Sequence, residues 1–62
     1  MRPPVKEKAA SYIETSGVDE ALANAMLVKS VWERHEFDSD EAFKEHQDYW
    51  EEVIEEIYKH VK

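Results

Sequence analysis

Residues 43–61 read FKEHQDYWEEVIEEIYKHV and contain the strongest helical pattern of the chain. Large apolar or ring side chains recur there every three or four residues, as one face of an α-helix requires. They are Phe43, His46, Trp50, Val53, Ile57 and His60, with Ile54 and Val61 widening the same face. Just before them, Asp38 and Glu41 have the spacing of a capping box in which Asp replaces Ser or Thr. The linker of residues 37–40 carries two capping candidates, of which Asp38 fits the box, and the pattern predicts a long third helix that begins here.

Two shorter helical segments precede it. The Pro3-Pro4 pair suits the first turn of a helix, and apolar residues follow at helical spacing. These are Val5, Ala9, Tyr12 and Ile13. Gly17 is the residue expected to end this helix. A second helix is predicted to open at Asp19-Glu20, where acids suit the first turn, and to continue to about Glu36.

Composition supports an all-α fold. The chain has 62 residues, one Gly and two Pro, so it offers few residues that favour turns between strands. It is long enough for one core only, which predicts a single helical domain over residues 1–62. We therefore expect a small three-helix bundle, either closed within one chain or completed by self-association, with residues 1–4 as a frayed basic arm that contains Arg2.

Other features limit the compartment and the chemistry. The chain has no Cys, which excludes disulfides, thiolate metal sites and cysteine catalysis. No apolar run approaches the ~20 residues that span a bilayer, and the N-terminus shows no apolar secretory signal. We expect a soluble cytoplasmic protein that does not associate with membranes.

Acidic residues concentrate in the last part of the chain. The formal net charge is −7, but residues 36–56 alone contain ten acids against one base, Lys44, for a local balance of −9. Most project from one side of the third helix, opposite the apolar face. This predicted acidic face consists of Glu41, Glu45, Asp48, Glu52, Glu55 and Glu56.

The acidic face has two interpretations. Its carboxylates are spaced by about 5–6 Å, comparable with phosphates along a nucleic-acid strand, so the helix could occupy a basic groove of a nucleic-acid-binding protein. Against this, outward helix faces are commonly charged, and net acidity keeps small proteins soluble. The ordinary solvated face is the simpler interpretation, and nucleic-acid mimicry is kept as an alternative.

The second helix is apolar nearly all round its axis, so it needs cover on several sides. Part of that surface is predicted to bind a partner protein, together with an aromatic edge next to it. The predicted apolar face consists of Met26, Leu27, Val31, Trp32, Phe37 and Trp50. Alternatively, the small residues of this helix allow close packing that covers everything inside one chain.

Direct DNA binding, metal binding and catalysis are not expected. The helix after Gly17 begins Asp19-Glu20 and has no cation before Lys29, whereas a DNA-recognition helix needs cations near its start. Glu56 and His60 are an i,i+4 pair, and two ligands from one helix do not make a metal site. No phosphate loop or nucleophile motif is present, so we expect no enzyme and no cofactor.

The leading expectation is a non-catalytic interaction module that binds and regulates or inhibits a larger protein, either as a single chain or as a homo-oligomer. The first alternative is a nucleic-acid mimic that acts through the acidic face. The second alternative is a structural homo-oligomer whose function is assembly.

Overall fold

The structure is a computed structural model that describes residues 3–61. Three α-helices follow one another: α1 (Val5–Ser16), α2 (Val18–Val31) and α3 (Asp40–Tyr58), with a short 3-10 helix at Arg34–Glu36 before α3. Each helix packs against the other two, and residues 3–61 contain no strand. The prediction of a small all-α three-helix bundle is confirmed.

The core lies where the three helices meet and combines small and large side chains. Ala9 of α1 and Ala21 and Ala25 of α2 are fully buried, and so are Val53 and Ile57 of α3. Alanines let α1 and α2 approach closely, while α3 supplies the volume that fills the space between them. The core is therefore built on one face of α3 and on the small residues of α2.

Gly17 separates α1 from α2 and is the only residue between them. Its φ is +85° and its ψ is 165°, a combination open almost only to glycine. Its amide donates a hydrogen bond to the carbonyl of Ile13 at 2.7 Å, and its own carbonyl accepts one from Ala21 at 2.9 Å. The predicted stop at Gly17 is confirmed, and the same residue also begins α2.

Helix α2 ends at Val31, so the predicted continuation to Glu36 was wrong. Trp32 leaves the helix with an extended backbone and brings its ring to 6.2 Å from that of Phe37. The 3-10 helix that follows has its own capping box between Glu33 and Glu36. Packing of the tryptophan ring ends the helix, and a local propensity pattern does not contain that information.

The N-cap of α3 is Ser39, which corrects the predicted Asp38 cap. The hydroxyl of Ser39 accepts a hydrogen bond from the amide of Ala42 at 3.1 Å. Asp38 and Ser39 are both favourable N-cap residues. The helix is capped one residue later than the sequence pattern suggested.

The chain before α1 is held against α3. The hydroxyl of Tyr49 donates a 2.7 Å hydrogen bond to the carbonyl of Pro3. Pro3 and Pro4 are exposed and precede the helix. The prediction that Arg2 belongs to a frayed arm lies outside the described residues. No helix in residues 3–61 has the length and apolar character needed to cross a membrane.

Candidate protein-interaction surface

The most exposed large apolar side chains of α2 cluster at its C-terminal end. Met26 and Trp32 are 47% exposed, Val31 is 56% exposed and Leu27 is 58% exposed. We call these four residues the α2 face. Isolated exposed apolar residues are common on proteins, but here four large ones fall within seven positions at one end of α2.

Helix geometry explains why this patch points outward. Ala21 and Ala25 are four positions apart and fully buried, so they define the side of α2 that faces the core. Leu27 lies two positions after Ala25, about 200° further round the axis, which turns its side chain away from the core. Leu22 and Val28 occupy the flanks and are half-buried. Leu27, the most exposed of the four residues, therefore lies on the side of α2 that points away from the core.

A groove of about 390 Å³ runs beside the α2 face, between α1 and α2. Leu27 and Val28 form its apolar wall, and Tyr12 extends into it from α1. Its remaining lining is polar and comes from Ser11, Thr15, Ser16 and Asn24. An apolar side chain flanked by hydrogen-bonding groups would fit this mixed lining.

Phe37 and Trp50 were predicted to belong with the α2 face, but the structure places them in a half-buried aromatic cluster next to it. The ring centroids of Phe37 and His46 are 5.0 Å apart, and Trp50 lies 6.5 Å from His46 on the other side. Trp32 joins the cluster through Phe37 and His46. The cluster supports the α2 face from beneath, because it holds the Trp32 ring against α3.

His46 lies at the centre of this cluster and is only 6% exposed. The sequence pattern predicted His46 on the apolar face of the third helix, and the structure buries it there. The rings of Trp32 and Phe37 cover His46 because the chain turns back over α3 after Val31. His60 was predicted to lie on the same apolar face, but α3 ends at Tyr58 and His60 is exposed, so this placement was wrong.

The acidic face extends along the solvent side of α3. Glu41, Glu45, Asp48, Glu52 and Glu55 are all exposed. Within residues 3–61, Asp48, Glu52 and Glu55 form no ion pair with a cationic side chain. The middle of this helix therefore presents a continuous negative surface to the solvent.

Glu56 does not belong to that exposed face, which corrects its predicted position. Its side chain is only 18% exposed and forms an ion pair with Lys59 at 3.2 Å. Val5 and Lys6 of α1 lie nearby, because the start of α1 packs beside the end of α3. The acidic face thus ends at Glu55.

No group of three His, Asp or Glu side chains within residues 3–61 is placed to hold a metal ion. Ser39 caps α3, and Ser30 donates hydrogen bonds to the carbonyls of Met26 and Leu27, so these two hydroxyls have structural partners. Two exposed surfaces stand out within residues 3–61: the apolar α2 face and the acidic face of α3.

Sequence reasoning missed several contacts that position these surfaces. The side-chain amide of Gln47 donates to the carbonyl of Lys29 at 3.2 Å, and Lys29 forms a 3.8 Å ion pair with Glu51. Together they fix the last turn of α2 against α3. The groove beside Leu27 was missed as well, since it depends on how closely α1 approaches α2. No local sequence signal reports either feature.

The chain matches no protein-family model, and comparisons with curated proteins and with solved structures gave no significant match.

Proposed function

We propose that the protein is a non-catalytic interaction module that docks onto the apolar surface of another protein through the α2 face. The observation that supports this proposal is the exposure of about half of each large apolar side chain at the end of α2. Tryptophan and methionine are enriched where proteins bind one another, and Trp32 and Met26 both belong to this face.

The proposed consequence is regulation by occlusion. A 62-residue bundle that covers an apolar patch on a larger protein blocks whatever else uses that patch. Affinity would come from Leu27 and Trp32, since buried apolar and aromatic side chains supply most of the energy of such contacts. The cysteine-free composition leads us to place this activity in the cytoplasm.

Capture from lysate with matched variants tests the proposal. Tagged protein is mixed with nuclease-treated lysate of its source, washed in rising salt and analysed by mass spectrometry. The double variant Leu27→Asp with Val31→Asp should lose the captured partner, and circular dichroism should show that its helices persist. The matched control replaces Glu45, Asp48, Glu52 and Glu55 by Gln and should retain the partner within a few-fold.

The second candidate function is nucleic-acid mimicry by the acidic face. It is supported by the three central carboxylates Asp48, Glu52 and Glu55, which have no cationic partner among residues 3–61. A helix of this kind would bind a basic groove with strong salt dependence and would be displaced by DNA. The same experiment separates the two functions, because here the Gln variant loses the partner and the Asp variant retains it.

A further inference from the structure

We propose that residues 32–39, which join α2 to α3, form an acid-sensitive latch over His46. The latch is closed while the His46 imidazole is neutral, and it opens when the imidazole takes up a proton. Its effect on docking rests on the proposed function, because Trp32 belongs to the α2 face. The latch itself rests only on the burial of His46 and on the rings that cover it.

His46 is buried where a positive charge would be poorly solvated. It is only 6% exposed. Its ring centroid lies 5.0 Å from that of Phe37, 6.4 Å from that of Trp32 and 6.5 Å from that of Trp50. A neutral imidazole packs among such rings as another ring would, but an imidazolium ion in the same place loses its hydration. Two of the three rings belong to the latch, so the latch is what separates His46 from water.

The side chains that pack on His46 bring no opposite charge to it, since Trp32, Phe37 and Trp50 do not ionise. The charged and titratable side chains of the neighbouring segments are exposed, so water screens their effect on the imidazole. They are Glu33, Arg34, His35, Glu36 and Asp38 of the latch and Asp40, Lys44 and Glu45 of α3. Three further groups have contacts elsewhere. Tyr49 of α3 donates its hydroxyl to Pro3, Tyr12 of α1 packs on Trp50, and Lys29 of α2 pairs with Glu51.

The latch can move while the helical core stays packed. Every residue of the latch except Phe37 is exposed. Trp50 packs against the core of Ala9, Ala21, Ala25, Val53 and Ile57, whereas Trp32 and Phe37 pack against His46 and, for Phe37, also against Phe43. Segments with few buried apolar contacts open at lower cost than the core does. Opening of the latch therefore exposes His46 and leaves the three helices in place.

The pH range of the latch follows from its proton balance. With the latch open, the His46 imidazole lies in water and takes up a proton below about pH 6.5. With the latch closed, burial opposes that uptake. Opening is thus coupled to the uptake of one proton, so the ratio of open to closed molecules rises by up to about tenfold per pH unit below about pH 6.5. Above that pH the ratio does not change, and the latch stays closed.

The latch links acidity to the α2 face through Trp32. This residue is 47% exposed and directly follows the last residue of α2. In the closed latch its ring is held by Phe37 and His46, and opening releases the ring from α3. Acidification then removes one of the aromatic anchors on which docking is proposed to depend, and neutral pH restores it.

Quenching of Trp32 fluorescence by acrylamide tests the latch. Trp50→Phe leaves Trp32 as the single tryptophan and keeps a ring beside His46. Between about pH 7.5 and about pH 5.5, the quenching constant should rise by about twofold, because Trp32 is 47% exposed when the latch is closed. The helical circular dichroism should persist, since ordinary carboxyl groups titrate near about pH 4. Unchanged quenching, or loss of helix in step with it, would overturn the proposal.

Substitutions of the histidines identify the group that controls the latch. His46→Phe keeps a ring in the cluster but cannot take up a proton, so quenching of Trp32 should be equal at both pH values. His46→Gln should also be independent of pH, and it serves as a smaller replacement if Phe overpacks the cluster. His35→Gln and His60→Gln are the matched controls, because both histidines are exposed, and each should retain the response. A response that survives in the His46 variants would overturn the proposal.

Failure of the latch can be told apart from failure of the proposed function. A partner captured at about pH 7.5 should bind more weakly at about pH 5.5, and His46→Phe should bind it equally at both. If Trp32 shows no response to pH while Leu27→Asp with Val31→Asp still abolishes capture, the function stands and the latch is excluded. If Trp32 responds but no partner is captured, the latch stands and its role in docking is excluded.

Discussion

Helices α2 and α3 distribute their apolar residues in opposite ways. On α3 the large side chains Val53 and Ile57 are buried, and carboxylates face the solvent. On α2 the buried residues are Ala21 and Ala25, while Leu27 and other large side chains are exposed. Helix α3 stabilises the bundle with large buried side chains, whereas α2 buries small side chains and leaves large ones accessible. Substitutions on α3 should therefore test folding, and those on the α2 face should test binding.

The largest effect should come from Ile57→Ala. Ile57 is fully buried, and truncation of such a residue removes apolar contacts and leaves a cavity that costs about 2–5 kcal/mol. A domain of this size has little stability to lose, so the variant should be largely unfolded by urea titration and circular dichroism. A loss below ~1 kcal/mol would show that the core is not centred on α3.

The next effect should come from Ala25→Leu, which enlarges a fully buried residue of α2. Overpacking of this kind costs about 1–3 kcal/mol because the neighbouring helices must move apart. Ala23→Leu is the matched control, since Ala23 is exposed on the same helix. Measured at low protein concentration, the control should change the free energy of unfolding by less than ~0.5 kcal/mol. Equal losses in both variants would contradict the buried orientation of Ala25.

A smaller effect is expected at the start of α3. Ser39→Ala should cost about 1 kcal/mol, because the amide of Ala42 loses its side-chain acceptor. Asp38→Ala is the control and should leave the urea midpoint nearly unchanged. A larger loss of stability in Asp38→Ala than in Ser39→Ala would contradict the Ser39 cap. It would support the capping box between Asp38 and Glu41 that the sequence pattern suggested.

The smallest effect should come from Leu27→Gln on the α2 face. Leu27 is 58% exposed and glutamine is a good helix former, so the monomer should change in stability by less than ~0.5 kcal/mol. Thermal unfolding at low concentration provides the measurement. A loss as large as that of Ala25→Leu would mean that Leu27 packs inside the bundle, and α2 would then resemble α3.

The two helices also differ in how much of their structure could be predicted. Helix α3 separates apolar from charged residues so clearly that most of its buried face follows from the sequence pattern, although the helix ends at Tyr58, before the predicted face positions His60 and Val61. Helix α2 is apolar on nearly every side, so its pattern does not show which side is buried. That choice depends on the close approach that Ala21 and Ala25 permit, which is a property of three packed helices. Its end at Val31 depends on the contacts of the Trp32 ring, and these are equally non-local.

The candidate site residues on the two helices also differ in how well the sequence predicted their positions. The exposed carboxylates from Glu41 to Glu55 were placed correctly from helical periodicity, because their helix is strongly two-faced. Met26, Leu27, Val31 and Trp32 were predicted as a partner-binding face, and the structure shows them exposed. Their binding role remains a prediction. Phe37 and Trp50 were included in that prediction because of their residue type alone. In the structure their rings pack around His46 and are half-buried.

The Gly17 junction has a consequence for the topology of the whole bundle. A single residue in a conformation that glycine alone tolerates turns α1 back against its neighbours. A side chain at this position would favour a negative φ, and α1 and α2 could then continue as one helix over residues 5–31. In such a continuous helix, α1 could not fold back to cover the core of its own chain. It could contribute to a core only by packing against the helices of another chain. The closed monomer and a domain-swapped assembly are thus separated by the backbone geometry of one glycine.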